Sequence, residues 1–459
     1  MLFRSLKIDD QNEIYYELTE PKGNGYTFVF VNALTGSTAA WNGIIGDKIT
    51  EEGNGFLTYN FRGQDISKFS DKLNLDTDLI VSDLCLLIET LKLKKDNKSI
   101  TTEPGFQFEL SGQTHESIHE VCAESSGYLK EINRSAENHN IKHLSIGYDP
   151  FNSLKDAPKS PKTRYKIMTE EMPKTGKLSL EMMYQTCGLQ VNLDYKSERD
   201  FVEKFKISNY IVPILIAIFA NSPFKNNALS GYHSYRNFIW QSTARGGIMP
   251  IVFEEMSFEK YFDFIINYPL LFIIKEEQYQ KAENKTFNDF MNGQLSYLPT
   301  IKNFQDHLST IFTEVRLKQY IEIRSLDTCD WGCICNGPAF LTGLLYNDLE
   351  ETLSIIKKWK KEEIMQAYIS APKKGLTAEL HNKKAKYWAE VLLEISLDGL
   401  KKRHKLNKSK QDETIYLSHV RDIINSGKNR AERLIEKYNK TKNLKFLFNE
   451  KEDFSYSGF

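Results

Sequence analysis

Three short segments of the chain alternate apolar side chains with side chains that can bind a metal ion or an anion. The segments are Phe106–Leu110, Leu189–Asp194 and Tyr320–Arg324. In an extended strand, successive side chains point to opposite faces, so each segment presents a polar row opposite an apolar row. The pattern predicts an antiparallel sheet with one buried and one open face. The polar rows comprise Gln107, Glu109, Gln190, Asn192, Asp194, Glu322 and Arg324.

The residue types in these polar rows indicate a binding site. A solvated sheet face is the plainer interpretation of any one strand, but such faces usually carry Lys, Thr and Ser. Carboxylate oxygens are the ligands that Mg²⁺ takes together with nucleotide phosphates. An arginine offers two parallel N–H donors that fit a substrate carboxylate. We therefore expect a site that holds a metal ion and a zwitterionic substrate.

A rival metal pattern lies at residues 115–119, where HESIH matches the zinc motif H-E-x-x-H. That motif needs both histidines on one helical face, and the segment is predicted to be helical. No third ligand follows at the spacing that zinc proteases use. We interpret the segment as a surface helix. Cys329, Cys333 and Cys335 also lie close together, but without the second pair of a tetrahedral zinc site we expect free buried thiols.

The first 95 residues form a separate predicted unit of strand, loop, strand and helix. Tyr26–Asn32 is an apolar, β-branched run that predicts a buried strand, and Phe56–Phe61 predicts a second one. Asp76–Leu93 carries leucine and isoleucine at helical spacing, which predicts an amphipathic helix. This order of elements suggests an α/β unit.

Two segments of this first unit, VFVNALTGSTAAW and LTYNFRGQDIS, resemble the opening of an α/β-hydrolase. The G-x-S-x-G turn that presents the serine nucleophile of those enzymes occurs nowhere in the chain. We therefore interpret residues 1–95 as a partial hydrolase-like unit that lacks hydrolase activity.

The overall composition excludes several classes of partner. The 459 residues include 60 basic and 61 acidic side chains, so their charge gives no indication of nucleic acid or anionic membranes. No run reaches the roughly 18–20 apolar residues that span a bilayer, and the N-terminus lacks the apolar core of a secretory signal. Six mostly scattered cysteines fit a reducing cytoplasm better than a disulfide scaffold. We expect a cytoplasmic monomer or homodimer whose partners are small molecules.

The rest of the chain, residues 96–459, resembles one enzyme family. EPGFQFELSG is similar to the signature E-P-G-G-Q-F-E-L-S-G of plant and proteobacterial glutamate–cysteine ligases. The likeness continues in the same order through TRYKIMTEEMPKTGKLSLEMMYQTCGLQVNLDY, ANSPF, YRNFIW, HLSTIFTEVRLKQYIEIR and GPAFLTGLLY. It extends into a C-terminal part that is predicted to be mostly helical from about residue 348.

The resemblance implies an α+β fold, with a glutamine-synthetase-like antiparallel sheet that forms a funnel flanked by helices. It also implies the reaction. MgATP phosphorylates the γ-carboxylate of glutamate, and the amine of cysteine then displaces phosphate to give γ-glutamylcysteine, the first step of glutathione biosynthesis. Catalysis of this kind depends mostly on positioning and on charge neutralisation by Mg²⁺ and arginines.

Matched residue by residue, the resemblance implies that Glu103, Glu109 and Glu322 bind Mg²⁺. It places Gln190 and Asn192 in the metal and nucleotide region. The three carboxylates would come from separate segments of the chain, and together they would neutralise a cation that is bound to phosphate.

Three arginines complete the implied site. Arg236 would bind the α-carboxylate of glutamate, Arg324 would contact the phosphates, and Arg164 would lie near the substrate pocket. A structural ion pair is the alternative role for each of them. Cys122 and Cys335 match the positions of a regulatory disulfide in plant members, although free buried thiols are our expectation here.

Two departures from the family pattern bear on activity. A strand of the form G-x-E-x-E-K-F should precede the signature and supply two more carboxylates. Nothing matches it, since Glu17 and Glu20 have the wrong spacing for one strand face. Phe106 also replaces the second glycine of the signature, where a side chain could crowd the backbone. The alternative to an active ligase is therefore a catalytically impaired, ligase-like binding protein.

Overall fold

The computed structural model describes residues 4–8, 11–22, 26–31, 37–41, 45–68, 77–91, 99–138, 141–243, 245–275, 278–282 and 284–448. Helices and several small sheets alternate along the chain, so the predicted α+β class is correct. The chain divides into two units, Met1–Asn97 and Lys98–Phe459, and each is described by itself. The boundary predicted near residue 96 falls on residues 92–98, which lie outside the described residues.

The first unit contains β1 (Arg4–Lys7), β2 (Glu13–Thr19), β3 (Thr27–Val31), α1 (Gly46–Glu51), β4 (Gly55–Asn60) and α2 (Thr77–Thr90). Its sheet has the order β1-β2-β4-β3, in which β3 and β4 run parallel and the other neighbours run antiparallel. The described residues thus confirm the predicted second strand and the helix. Every residue of β4 is buried, because the strand has a neighbour on both sides and α1 packs against it.

Strand β3 corrects one prediction for this unit. The run at residues 26–32 was expected to be a buried strand, but the structure exposes Phe28, Val29 and Val31. The reason is its position, since β3 lies at the edge of the sheet and pairs only with β4 among the described strands. An apolar run alone does not distinguish an edge strand from a central one. Asn32, the last residue of the predicted strand, lies outside the described residues.

The second unit begins with β5 (Ser99–Thr102), β6 (Phe108–Ser111), α3 (Ile118–Asn138), α4 (Thr163–Glu171), α5 (Ser179–Gln185), β7 (Gly188–Leu193), α6 (Glu198–Tyr210) and α7 (Val212–Phe219). It continues with β8 (Phe224–Lys225), β9 (Ala228–Leu229), α8 (Tyr235–Gln241), α9 (Phe258–Ile266), β10 (Phe272–Lys275), β11 (Gln278–Lys281), α10 (Phe287–Met291) and α11 (Ile301–Leu308).

The C-terminal part of this unit contains β12 (Val315–Leu317), β13 (Ile321–Asp327), α12 (Trp331–Ile334), α13 (Asn336–Leu345), α14 (Leu349–Ile356), α15 (Lys361–Lys374), β14 (Glu379–Leu380), β15 (Lys383–Lys384), α16 (Ala385–Arg403), α17 (Ser418–Ser426) and α18 (Arg430–Thr441). Helices dominate from α14 onward, as predicted. Leu353, Ile356 and Trp359 are buried in the largest core cluster.

A three-stranded antiparallel sheet of order β12-β13-β7 lies at the centre of the second unit. All seven residues of β13 are buried. Helix α7, which is apolar and buried along its whole length, packs against β13. This arrangement leaves the polar side chains of β13 on the face opposite Ile321 and Ile323, where they can form a site.

Disulfides correct the prediction of free thiols. Cys122 on α3 is bonded to Cys335, which immediately precedes α13, and Cys329 is bonded to Cys333. The first pair is separated by 213 residues in sequence, so only the tertiary fold brings the two cysteines together. Among the cysteines whose side chains the structure describes, Cys187 is free, and burial raises the pKa of its thiol to about 12. The expected reducing location stays a prediction.

Among the described residues, the helices are all too short or too polar to cross a bilayer.

Candidate functional site

The polar face of the central sheet brings together residues from all three strands. Arg316 on β12 lies opposite Glu322 on β13, and Glu322 lies opposite Asn192 on β7. Directly opposed residues in antiparallel strands project to the same face of the sheet. Asn192 is exposed on that face, and Gln190, two residues before it on β7, is half-buried. The register of β13 and β7 thus places Glu322 and Asn192 on one surface, whereas a register shift between Ile323 and Leu326 means that the pairing does not set Arg324 opposite Gln190.

Glu322 is the centre of a cluster of cations. Its Oε2 accepts hydrogen bonds from Arg316 Nε and from Arg324 Nη1, the latter at 2.6 Å, and its Oε1 lies 3.1 Å from Lys318 Nζ. Burial alone would raise the pKa of Glu322, but the charges of Arg324 and Arg316 hold it well below its ordinary value. One carboxylate thus faces three positive charges, and the cluster carries an excess of positive charge.

Glu103 and Glu109 form the acidic part of the site. Glu109 lies on β6, opposite Thr101 of β5. Burial raises the pKa of Glu109, the charge of Glu103 raises it further, and Arg324 opposes the shift. Burial, together with Glu103, also raises the pKa of Tyr165 to about 12. A carboxylate that is stabilised in its protonated form is one whose negative charge a bound cation would relieve.

The turn that carries Glu103 is tight. Phe106 N donates to Glu103 O at 2.9 Å, and Glu103 N donates to Gln107 O at 2.9 Å. Phe106 has φ of +59°, the left-handed conformation that glycine adopts without strain. A Cβ at Gly105 would lie 2.2 Å from Tyr184 O, so the turn presses against the end of α5. The backbone conformation at residue 106 therefore explains the glycine of the family signature.

The apolar row predicted for this segment is wrong. The strand begins only at Phe108, and both Phe106 and Phe108 are exposed, because among the described strands the hairpin β5–β6 forms a sheet of only two. Gln107 was predicted to share the polar face with Glu109, but its side chain instead stabilises the turn through hydrogen bonds. Its Oε1 accepts from Gly105 N at 2.8 Å, and its Nε2 donates to Met183 O at 3.2 Å.

Arg236 is buried at the start of α8. Its Nη2 donates to Arg324 O at 2.8 Å, and its Nη1 lies 3.8 Å from Asp327 Oδ1. Asp327 also accepts hydrogen bonds from Ser222 Oγ at 2.7 Å and from Ser234 Oγ at 2.9 Å. Ser234 is the N-cap of α8, so Asp327 fixes the start of the helix that carries Arg236.

Several buried donors around Arg236 have no hydrogen-bond acceptor among the residues that the structure describes. They are Arg236 Nε and Nη1, Arg324 Nε and Trp240 Nε1. Both guanidinium groups lie over the Trp240 ring, each with Cζ at 5.2 Å from the ring centroid. Buried polar groups are normally hydrogen-bonded, and unpaired ones carry a cost in free energy. A ligand with several acceptor oxygens, such as a carboxylate, would satisfy them once the side chains that cover these buried atoms move aside.

Arg164 contacts a serine, Ser309, that also contacts Arg316 of the cation cluster. Its Nη2 donates to Ser309 Oγ at 3.2 Å, and Arg316 Nη1 donates to Ser309 O at 3.2 Å. The guanidinium lies 5.6 Å from the Phe272 ring, while its buried Nε has no acceptor among the described residues. The structure thus links Arg164 to the cation cluster through one serine.

The zinc-protease pattern at residues 115–119 is excluded by geometry. Helix α3 begins at Ile118, so His115 lies outside the helix, contrary to our prediction. His115 Nε2 is bound to Glu124 Oε2 at 3.1 Å. Both ring nitrogens of His119 are engaged, one with Tyr416 Oη at 2.9 Å and the other with Lys405 O at 3.2 Å. Neither histidine is positioned as half of a helical zinc site.

Carboxylate oxygens are the correct chemical donors for Mg²⁺, but the described residues do not form a complete ligand set. No three His, Cys, Asp or Glu side chains among them lie together as a metal site. The predicted trio Glu103, Glu109 and Glu322 does not form a metal site because both oxygens of Glu322 already contact cations. Glu103 and Glu109 fit a divalent ion better, because their mutual repulsion favours a bound cation.

Comparison with known proteins gives a family for this chain. Residues 64–450 match glutamate-cysteine ligase family 2 (GCS2), a match that starts before the predicted boundary near residue 96. These matches place the chain among the carbon–nitrogen ligases. It belongs to glutamate-cysteine ligase family 2, which confirms the resemblance identified from its motifs.

Plant relatives match over most of the chain. The chloroplastic glutamate–cysteine ligase of Nicotiana tabacum is 39% identical over 355 residues, covering 75% of this chain and 67% of that one. Ligase B of Oryza sativa subsp. japonica is 40% identical, covering 75% and 70%. The Arabidopsis thaliana ligase is 38% identical over 356 residues, covering 76% and 67%. These proteins are named as chloroplastic, so a cytoplasmic location for this chain stays a prediction.

Among solved structures, the Pup ligase PafA in complex with ADP aligns over 84% of this chain and 76% of its own. The TM-score is 0.35 and the identity is 11%, so nothing here depends on this likeness.

Several residues of the site escaped the sequence analysis. Arg316 and Lys318 lie inside a quoted motif, and the hairpin register that opposes Arg316 to Glu322 could have revealed the first of them. Asp327 carried no signal, because a single acid at a strand end is common. The pair Glu314 and Tyr368, joined by a 2.7 Å hydrogen bond in the core beneath Arg236, comes from distant segments that no local pattern connects.

Proposed function

We propose that this chain ligates the γ-carboxylate of glutamate to the amine of cysteine, using MgATP and passing through γ-glutamyl phosphate. The product would be γ-glutamylcysteine, the precursor of glutathione. The observation that carries the proposal is the set of buried donors on Arg236, Arg324 and Trp240 that lack acceptors in the described part of the chain. A carboxylate substrate supplies the acceptor oxygens, and desolvated arginines bind it through paired hydrogen bonds.

The charge distribution supports the use of a nucleotide. Arg316 and Arg324 on the sheet and Lys318 in the turn after β12 outnumber Glu322, while Glu103 and Glu109 provide nearby negative charge. A triphosphate bound to a divalent ion needs both kinds of partner. The cations would neutralise the phosphate oxygens, and the carboxylates would hold the ion.

Mg²⁺ would be held first by Glu103 and Glu109. When bound, it supplies charge neutralisation at the phosphates. Glu322 would join as a ligand only after one of its cation partners moves away. Gln190 and Asn192 would line the nucleotide region, and Arg236 would hold the glutamate α-carboxylate, with Arg164 nearby. The sheet β12-β13-β7 would form part of the glutamine-synthetase-like funnel, although the described strands do not by themselves trace one.

A steady-state assay tests the proposal. With ATP, Mg²⁺ and glutamate present, addition of cysteine should start ADP release, and mass spectrometry should identify γ-glutamylcysteine. Arg236→Lys keeps the charge but loses the paired donors, so the KM for glutamate should rise at least about tenfold, while the KM for ATP stays within about twofold. No ADP release that depends on cysteine would overturn the proposal.

A binding protein without turnover is the second candidate. It is favoured by Glu322, whose two oxygens are engaged by cations, and by the absence of the family's two-carboxylate strand from the sequence. In the first unit, Glu17 lies on β2 and accepts hydrogen bonds from Tyr15 Oη and Thr38 Oγ1, both at 3.0 Å. Calorimetric binding of ADP with Mg²⁺, without any ADP release in the assay above, would identify this candidate.

A further inference from the structure

We propose that Lys318 exchanges its partner when nucleotide binds, leaving Glu322 for the triphosphate and so freeing Glu322 Oε1 for Mg²⁺. The inference rests on the proposed function, because it concerns the nucleotide of that same reaction. In this exchange Lys318 binds the nucleotide substrate, and its ion pair with Glu322 exists only while the nucleotide is absent.

The three cations around Glu322 differ in how many other contacts fix their side chains. Arg316 also donates to Ile311 O at 2.8 Å and to Ser309 O at 3.2 Å, and Arg324 stacks on Trp240. The side chains of both arginines are only 8% exposed. They are fixed by the surrounding structure, so neither can leave Glu322 without breaking further contacts.

Lys318 differs in each of these respects. Its side chain is 30% exposed, and its Nζ lies 3.1 Å from Glu322 Oε1, the longest of the three ion pairs. It lies in the short turn between β12 and β13, where its N donates to Tyr320 O at 2.8 Å. The ammonium group at the end of a flexible four-carbon stem can therefore move while the sheet stays in place.

The charges around Glu322 favour the exchange. Two firmly held arginines already neutralise Glu322 through Oε2, so the departure of Lys318 leaves no uncompensated negative charge there. Glu322 Oε1 then becomes available as an oxygen ligand. Lys318 also interacts electrostatically with Glu109, so its charge acts on the acidic part of the site as well. A phosphate oxygen offers it a charge-assisted bond of the same type as the one it gives up.

Binding measurements on Lys318→Met test the exchange. Calorimetry with ADP and Mg²⁺ should show affinity weakened about tenfold. Titration of Mn²⁺ alone, followed by electron paramagnetic resonance, should instead show tighter binding by about threefold or more, because Glu322 Oε1 is free. Lys318→Arg should keep the ADP affinity within about twofold, since it retains the charge. Lys260→Met, which removes a surface lysine paired with Glu254 at 2.5 Å, is the matched control and should change neither value.

The two affinities separate the exchange from a structural role. If Lys318 only supported the turn, Lys318→Met would weaken ADP and Mn²⁺ together, and that result would overturn the inference. Unchanged ADP affinity, or unchanged Mn²⁺ affinity, would overturn it as well. Should Lys318→Met fail to fold, Lys318→Gln serves for the same two titrations. Failure of the unmodified chain to bind ADP with Mg²⁺ would instead reject the proposed function together with this inference.

Discussion

Gly188 and Arg236 occupy complementary space. A Cβ on Gly188 would lie 2.3 Å from Arg236 Nη2 and 2.7 Å from its Cζ, so the guanidinium lies where any other side chain at residue 188 would begin. The position does not require a left-handed backbone, because no positive φ occurs there. The glycine at the start of β7 is therefore needed for the placement of an arginine on α8.

Gly188→Ala should displace Arg236 and lower kcat/KM for glutamate by about 100-fold, since a misplacement of about 1 Å can cost that much. The measurement is steady-state kinetics with glutamate as the varied substrate. Gly127→Ala is the control, because a Cβ at Gly127 meets nothing within 4 Å. Gly127 lies inside α3, so that change should keep activity and stabilise the chain by about 0.5–1 kcal/mol. Equal kinetics for Gly188→Ala and the unmodified chain would contradict the steric argument.

Phe106→Gly should stabilise the chain by about 1 kcal/mol, because a left-handed conformation costs other residues roughly that much. The gain should exceed the loss of apolar contact, since Phe106 is exposed. Phe108→Gly is the matched control, as Phe108 is also exposed but lies in a strand. There glycine should destabilise by about 0.5–1 kcal/mol. The measurement is denaturant unfolding, and a loss of stability in both variants would reject strain at residue 106.

Glu322→Gln and Glu109→Gln should change stability in opposite directions. Glu322→Gln leaves three cations without their shared carboxylate and should cost about 3 kcal/mol, as expected when a buried ion pair loses one member. Glu109→Gln removes a charge that burial and Glu103 disfavour, so it should stabilise the chain. Both variants should lose Mg²⁺-dependent activity. Thermal unfolding and the ligase assay check these outcomes, and destabilisation by Glu109→Gln would contradict the electrostatic interpretation.

His307 should make stability depend on pH. Burial lowers the pKa of His307 to about 4, and its Nε2 hydrogen-bonds to Ile265 O at 2.8 Å. An unfolded histidine titrates near pH 6.5 and so binds more protons than the folded one below that pH. The contribution is complete above about pH 6.5 and is lost as pH falls toward 4, by about 2 kcal/mol between pH 7 and 5. Denaturant unfolding at both pH values measures this loss.

His307→Gln should remove that part of the pH dependence, because glutamine can still donate to a carbonyl but does not titrate. The comparison is between the two chains at each pH, so other titrating groups cancel. An identical decrease in both chains would show that His307 does not carry the effect.

The site could be predicted from sequence where its residues lie on one strand. Glu322 and Arg324 alternate with isoleucines, and that alternation correctly placed Glu322 on one face with Asn192, whereas the register shift after Ile323 has no signal in the sequence. Arg316 and Lys318 were missed because their importance depends on strand register, which pairs β12 with β13 only once the hairpin is formed. The grouping of Arg236 with Asp327 depends on tertiary packing between segments about 90 residues apart, for which the sequence carries no local signal.

The fold shows the same division. Buried strands and helices such as β4, α2 and α7 follow from apolar runs and spacing. The exposure of β3 and of the hairpin β5–β6 could not be predicted, because it depends on which other elements cover a surface. The conformation of Phe106 was hidden for a different reason, since φ at a turn is set by the hydrogen bonds between Glu103 and Gln107.

The bond between Cys122 and Cys335 closes a loop of the polypeptide that contains the whole of β7, β12 and β13. A protease that cuts once anywhere inside this loop would leave the two fragments covalently joined. Such a nicked molecule would migrate as a single band on a denaturing gel run without reductant and would separate into two only after reduction. Limited proteolysis can therefore miss cleavage in the very segments that build the site unless the samples are reduced first.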